Sequence, residues 1–108
     1  MSTTATVTTY QVQQRVFTTD AASAVTITGL AGVTLVKVNI YFIKTGKVIP
    51  PAVAGTAPIL LSTYLPEASY LAWVDLLRNE KPLTMVVNGT SFYVQTGQEP
   101  VGAHEIGA

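Results

Sequence analysis

Chemistry in this chain would have to come from very few side chains. The one histidine, His104, stands between Glu99 and Glu105 in the C-terminal stretch GQEPVGAHEIGA. An imidazole beside two carboxylates is a donor set that can hold a divalent metal, and the same trio could support acid–base catalysis. A solvated, turn-rich tail explains these residues without any chemistry, and that is the reading adopted. The only aspartates, Asp20 and Asp75, fit ordinary roles in a turn and on the polar side of a helix. No serine–histidine–aspartate arrangement is indicated, because its histidine would have to come from the tail. Gly29-Leu30-Ala31-Gly32 is too short for a phosphate loop and lacks the lysine. Asn88-Gly89-Thr90 has the form of a glycosylation acceptor, but a hairpin turn accounts for it. An active site needs titratable groups converging in a pocket, and the expectation is therefore a non-enzymatic protein without cofactor or metal.

What remains is aromatic. Tyr10, Tyr41, Tyr64, Tyr70, Tyr93 and Trp73 could offer stacking faces to a sugar, whereas core edges or subunit contacts are their commoner use. Glycan or small-ligand binding through these faces is the second functional expectation.

Composition points to the first. Of 108 residues, 48% are apolar and only 11% charged, with six basic residues balancing six acidic ones. Soluble domains carry about 25% charged residues, so Thr, Ser, Gln and Asn must cover this surface. Net charge helps keep proteins apart; a chain with none is suited to self-association. The balance leaves no excess for phosphate neutralisation, which argues against nucleic acid as a partner. With no cysteine, disulfides and thiolate chemistry are excluded. No apolar run approaches the roughly 18 residues a membrane helix needs, and MSTTATVTTY lacks the features of a secretory signal. Cytoplasmic location is the default expectation, with export by a signal-less route left open.

The elements that must carry these residues are mostly strands. Residues 5–18 are rich in Thr, Val, Gln and Tyr; Val7 and Phe17 differ in parity from Tyr10, Val12 and Val16, which implies either a bulge or a strand covered on both faces. Residues 19–23 read as a loop, 24–28 as a short strand and 29–32 as a turn. Residues 33–44 form the clearest strand, with Val36, Val38, Ile40 and Phe42 on one face. The three prolines of Val48 to Pro58 exclude regular structure and leave an irregular apolar loop, either a contact site containing Val53 or a cover over one end of the fold. A short strand over 59–64 follows. The spacing of Tyr70, Trp73, Val74 and Leu77 predicts a helix over about 66–79, opened by Pro66 in its first turn and closed by Pro82. Leu71 and Leu76 widen its apolar arc beyond what one small sheet needs. Asn88-Gly89 at the centre of a two-residue type I′ turn predicts a hairpin over about 82–96, with Val87 opposite Thr90 and Met85 opposite Phe92.

These elements read as one domain over residues 1–108, mainly β with one α-helix: a small five- to six-stranded OB-like barrel, or alternatively a β-sandwich with a short helix. The segment YLPEASYLAWVDLLRNEKPLTMVVNGTSFYV, residues 64–94, resembles the helix-plus-hairpin half of small OB-fold subunits, including the ring-forming B-subunits of bacterial toxins. The resemblance implies assembly into rings or fibres through barrel edges, and glycan binding. LLRNEKP and TGQEPVGAHE also resemble parts of small uncharacterised bacterial proteins. The reading that results is a structural protein whose partner is another copy of itself, in a ring or a filament. Tyr70, Leu71, Trp73, Leu76, Val53 and Tyr93 are the interface candidates.

Overall fold

The structure is a computed structural model that describes residues 2–13, 20–80 and 82–96. The chain runs β1 (Ser2–Gln13), β2 (Ala21–Ala31), β3 (Thr34–Ile43), β4 (Val53–Ala54), β5 (Ile59–Pro66), a 3-10 turn (Glu67–Ser69), α1 (Tyr70–Asn79), β6 (Leu83–Asn88) and β7 (Ser91–Thr96). Among the described residues the fold is mainly β with a single helix, but it has seven strands rather than five or six, all in one sheet ordered β4-β5-β3-β2-β1-β6-β7. The added strand is β4, formed within the proline-rich loop; β5, expected over 59–64, extends to Pro66 and lies parallel to β3.

The sheet is curled into a half-barrel. Its curl brings non-neighbouring strands across from one another: Thr3 of β1, Leu60 of β5 and Val87 of β6 line a common cavity of about 140 Å³. The concave face holds the core, where Val25, Ile27, Val38, Ile40, Phe42, Leu61 and Met85 are fully buried. The 42–36 stripe expected on β3 is all inward, and β3 lies between β2 and β5.

The change of face in β1 is a bulge. Its register against β2 shifts between Val7 and Thr9, so Ala5 and Val7 before the shift and Tyr10 and Val12 after it all pack toward the core. An extra residue bends the strand and increases its local twist. This lets β1 pair with β6 over Ser2–Thr6 and with β2 over Thr6–Gln13. Gly29, opposite Val7, makes that crossing close: a Cβ there would stand 2.6 Å from the Thr6 carbonyl oxygen and 3.0 Å from the Met85 methyl.

Three local expectations are corrected. Residues 29–32 are not a turn: β2 runs through Gly29 to Ala31, and the turn is Gly32-Val33, with Gly32 at φ 68° and Ala31 opposite Thr34. The β6–β7 turn is centred on Gly89-Thr90, with Asn88 opposite Ser91 and Val87 opposite Phe92. Only Gly89 takes positive φ (62°), the pattern of a type II′ turn; a type I′ turn on Asn88-Gly89 would have forced Asn88 into the left-handed region as well. The shift moves each strand by one residue, and so the faces stay as expected, Leu83, Met85 and Val87 inward. Pro66 is extended (ψ 146°) and ends β5, so the helical turn begins after it.

α1 lies in the concave face. Tyr70 meets Phe42 edge-on at 5.3 Å, and Trp73 stacks on Phe92 at 5.7 Å, so the helix reaches from β3 to β7. Val74 and Leu77 are buried between them. A curled sheet touches more of a helix's circumference than a flat one, and this accounts for most of the wide apolar arc: Leu76 is packed against the core, and only Leu71 is left outside, 75% exposed.

Candidate functional site

The described residues contain no group of three histidine, cysteine, aspartate or glutamate side chains placed to hold a metal ion, and no helix long and apolar enough to cross a membrane. Glu99, His104 and Glu105 lie outside the described residues, as do Val16 and Phe17. Asp75 accepts a hydrogen bond from Asn79 Nδ2 at 2.6 Å along the exposed side of α1.

The six interface candidates do not form one patch. Tyr70, Trp73 and Leu76 pack against the core. Leu71 stands on the exposed side of α1, beside Asp75 and Arg78. Val53 is exposed in β4, and Tyr93, 54% exposed, lies on the convex side of β7. Of the other tyrosines, Tyr10 packs on the core, while Tyr41 and Tyr64 stack on each other at 5.5 Å on the convex face.

The two edges of the sheet differ in kind. At one end β4 is two residues long, preceded by Pro50 and Pro51 and followed by Pro58 after a cis peptide bond. Short strands and prolines are the usual means by which an edge is closed to further pairing. At the other end β7, Ser-Phe-Tyr-Val-Gln-Thr, has six residues with no charge, no proline and no glycine. Among the described residues it pairs only with β6.

The hairpin register determines which groups that edge offers. In a two-residue hairpin the residues flanking the turn exchange both hydrogen bonds, and the bonds recur at every second pair. Asn88–Ser91, Val86–Tyr93 and Thr84–Gln95 are then the bonded pairs. The N–H and C=O groups of Phe92, Val94 and Thr96 point away from β6. The side chains of the same three residues turn toward the concave face, while Ser91, Tyr93 and Gln95 are exposed on the convex one. The edge is held in place from inside: the Trp73–Phe92 stack fixes β7 against α1.

Sequence reasoning named Tyr93, and the resemblance implied assembly through barrel edges, but which strands form the edges was not read. The hydrophobic pattern tells which face of a strand is buried; it does not tell which strand stands last in the sheet. The usable signal was the contrast between a proline-rich segment and SFYVQT, a six-residue run of the composition that forms self-complementary strands.

No known protein family, characterised protein or solved structure matches this chain.

Proposed function

We propose that this protein is a non-enzymatic structural protein that self-associates by pairing its β7 edge with the β7 edge of a second copy. The observation that carries the reading is the asymmetry of the sheet, with one edge blunted by prolines and the other an uncharged six-residue strand. The blunted β4 edge disfavours head-to-tail addition of β7 onto β4. Pairing of β7 with itself is isologous, antiparallel about a two-fold axis, and gives a closed dimer. With Val94 opposite the partner's Val94, Phe92 falls opposite Thr96 and Tyr93 opposite Gln95. Every outward-pointing N–H and C=O of β7 then finds a partner. The balanced charge, six of each sign, sets up no long-range repulsion between copies.

Light scattering over a concentration series, combined with amide hydrogen exchange, tests this. The expected mass rises from 11.4 kDa to twice that value. The amides of Phe92, Val94 and Thr96 become protected in step with it. A chain that stays at 11.4 kDa at high concentration refutes self-association. A dimer whose protection appears elsewhere refutes the β7 edge.

A further inference from the structure

On the convex face, the C-terminal parts of β3 and β5 frame a cleft of about 410 Å³. Its wall is the Tyr41–Tyr64 stack. These two residues are direct partners in the parallel β3–β5 ladder, with ring planes 22° apart. Its floor is apolar, made by Ala21 and Ile43, and Ser62 and Asp20 supply polar groups. Pro50 closes the far side.

The two flanks are tied down. The Lys44 N–H donates to the Asp20 carbonyl oxygen at 2.7 Å, which fixes the Asp20 segment to the end of β3. The Thr45 N–H and hydroxyl both donate to Glu67 Oε1, at 2.7 and 2.8 Å, which fixes the start of the loop that carries Pro50. Below the tyrosines the face continues in neutral hydrogen-bonding groups. Gln11, Thr26, Asn39 and Ser62 lie opposite one another across β1, β2, β3 and β5, and the Thr26 hydroxyl donates to Asn39 Oδ1 at 2.8 Å.

We infer that this cleft binds a neutral carbohydrate, with pyranose rings lying against the Tyr41–Tyr64 wall. Pyranose rings present C–H groups on their faces and hydroxyls around their rims. Aromatic side chains and an apolar floor take the first; phenol, hydroxyl, amide and carboxylate groups take the second. A cleft of this size with a few convergent polar groups is of the kind that holds small ligands. The residues that frame it include an acid and no base, which disfavours phosphorylated or acidic ligands. The cleft opens onto the polar row of the convex face, so that an oligosaccharide can extend along it. It lies on β3 and β5, at the opposite side of the sheet from β7, and is independent of the association proposed above.

The experiment is titration of the isotope-labelled protein with cellohexaose, maltohexaose and chitohexaose, each to millimolar concentration, followed by backbone amide NMR. The expected result is binding of at least one of them, with shifts concentrated at Asp20, Tyr41, Ile43, Ser62 and Tyr64. Tyr64→Ala lowers its affinity at least about tenfold, Tyr64→Phe retains most of it because the stacking ring remains, and Tyr93→Ala leaves it unchanged. Shifts mapped on the wild-type chain need no variant to fold. If none of the three sugars shifts the spectrum, if the shifts fall elsewhere, or if Tyr64→Ala binds as the wild type does, the inference is overturned.

Discussion

Replacing both Tyr93 and Gln95 with lysine turns the proposed dimer contact against itself. In the two-fold arrangement residue 93 of one strand lies opposite residue 95 of its partner, so the double substitution creates two directly opposed lysine pairs. Like charges opposite one another across an antiparallel pair cost up to about 1 kcal/mol each, or about 2 kcal/mol in all. Tyr93 is 54% exposed, which leaves roughly 100 Å² of a large aromatic side chain for a partner to cover. At about 25 cal/mol per Å² that cover is worth about 2.5 kcal/mol per subunit at most. A lysine stem recovers much of it, so the net loss is about 0.5 kcal/mol on each side. The combined penalty is about 3 kcal/mol, a weakening of roughly a hundredfold in the dimer dissociation constant. Sedimentation equilibrium measures this directly. Both positions lie on the convex face and are exposed, and the urea midpoint of the monomer is expected to move little. The neutral control, Tyr93→Met with Gln95→Met, keeps unbranched stems of similar length without the charge, so it loses only the area component of about 1 kcal/mol and dimerises about fivefold more weakly than the wild type. Molar salt restores part of the lysine variant's association, because the charge component is screened. If the lysine variant associates as the wild type does while remaining folded, the β7 pairing is wrong.

Other substitutions test the framework. Leu71→Glu, at a position 75% exposed, is expected to change stability by no more than about 0.5 kcal/mol and to leave β7 pairing intact. Leu76→Glu, whose leucine packs on the core, is expected to cost about 2 kcal/mol. Denaturant titrations of the two variants compare them, and equal costs would contradict the placement of α1. Gly29→Ala forces a methyl within 2.6 Å of the Thr6 carbonyl oxygen, and is expected to destabilise by about 1–3 kcal/mol in urea unfolding; a neutral effect would show that β1 and β2 do not cross so closely. The two Thr45 hydrogen bonds, backbone first and hydroxyl second, hold the Glu67 carboxyl below its ordinary value of 4.5, with Lys44 adding to them. A carboxylate whose folded pKa is lowered contributes stability that is complete above the unfolded value and is lost as pH falls through the folded one. Glu67→Gln should therefore be less stable than wild type at neutral pH, with the gap closing on acidification; a gap independent of pH would mean that the ionised carboxylate is not what the tether uses.

Much of the fold was legible in local pattern. The bulge in β1 showed as a switch of parity between Val7 and Tyr10, because side-chain alternation cannot otherwise change face. The inward stripe of β3 and the faces of the β6–β7 hairpin followed from the same two-residue period. The exact hairpin turn did not, since Asn88-Gly89 and Gly89-Thr90 leave the faces identical and differ only in which residue must take positive φ. β4 and the full length of β5 were hidden because strands formed by pairing alone leave little trace in a proline-rich or mixed sequence.

The sequence by itself determined that this is a β-rich chain with one amphipathic helix and few charges. These properties depend on composition and on spacings of two to four residues, which neighbouring side chains impose on the backbone directly. Only the tertiary structure decided that β4 and β7 are the outer strands, that the curl absorbs Leu76 but not Leu71, and that Tyr41 and Tyr64 meet. Each of these depends on contacts between residues far apart in the chain: which strand comes last, and which tyrosine stands beside which, is set by the parallel β3–β5 pairing and by β1 bending to join β6 to β2. Side-chain alternation carries no record of those choices, because any order of strands satisfies it; the prolines around β4 are the local mark of an edge.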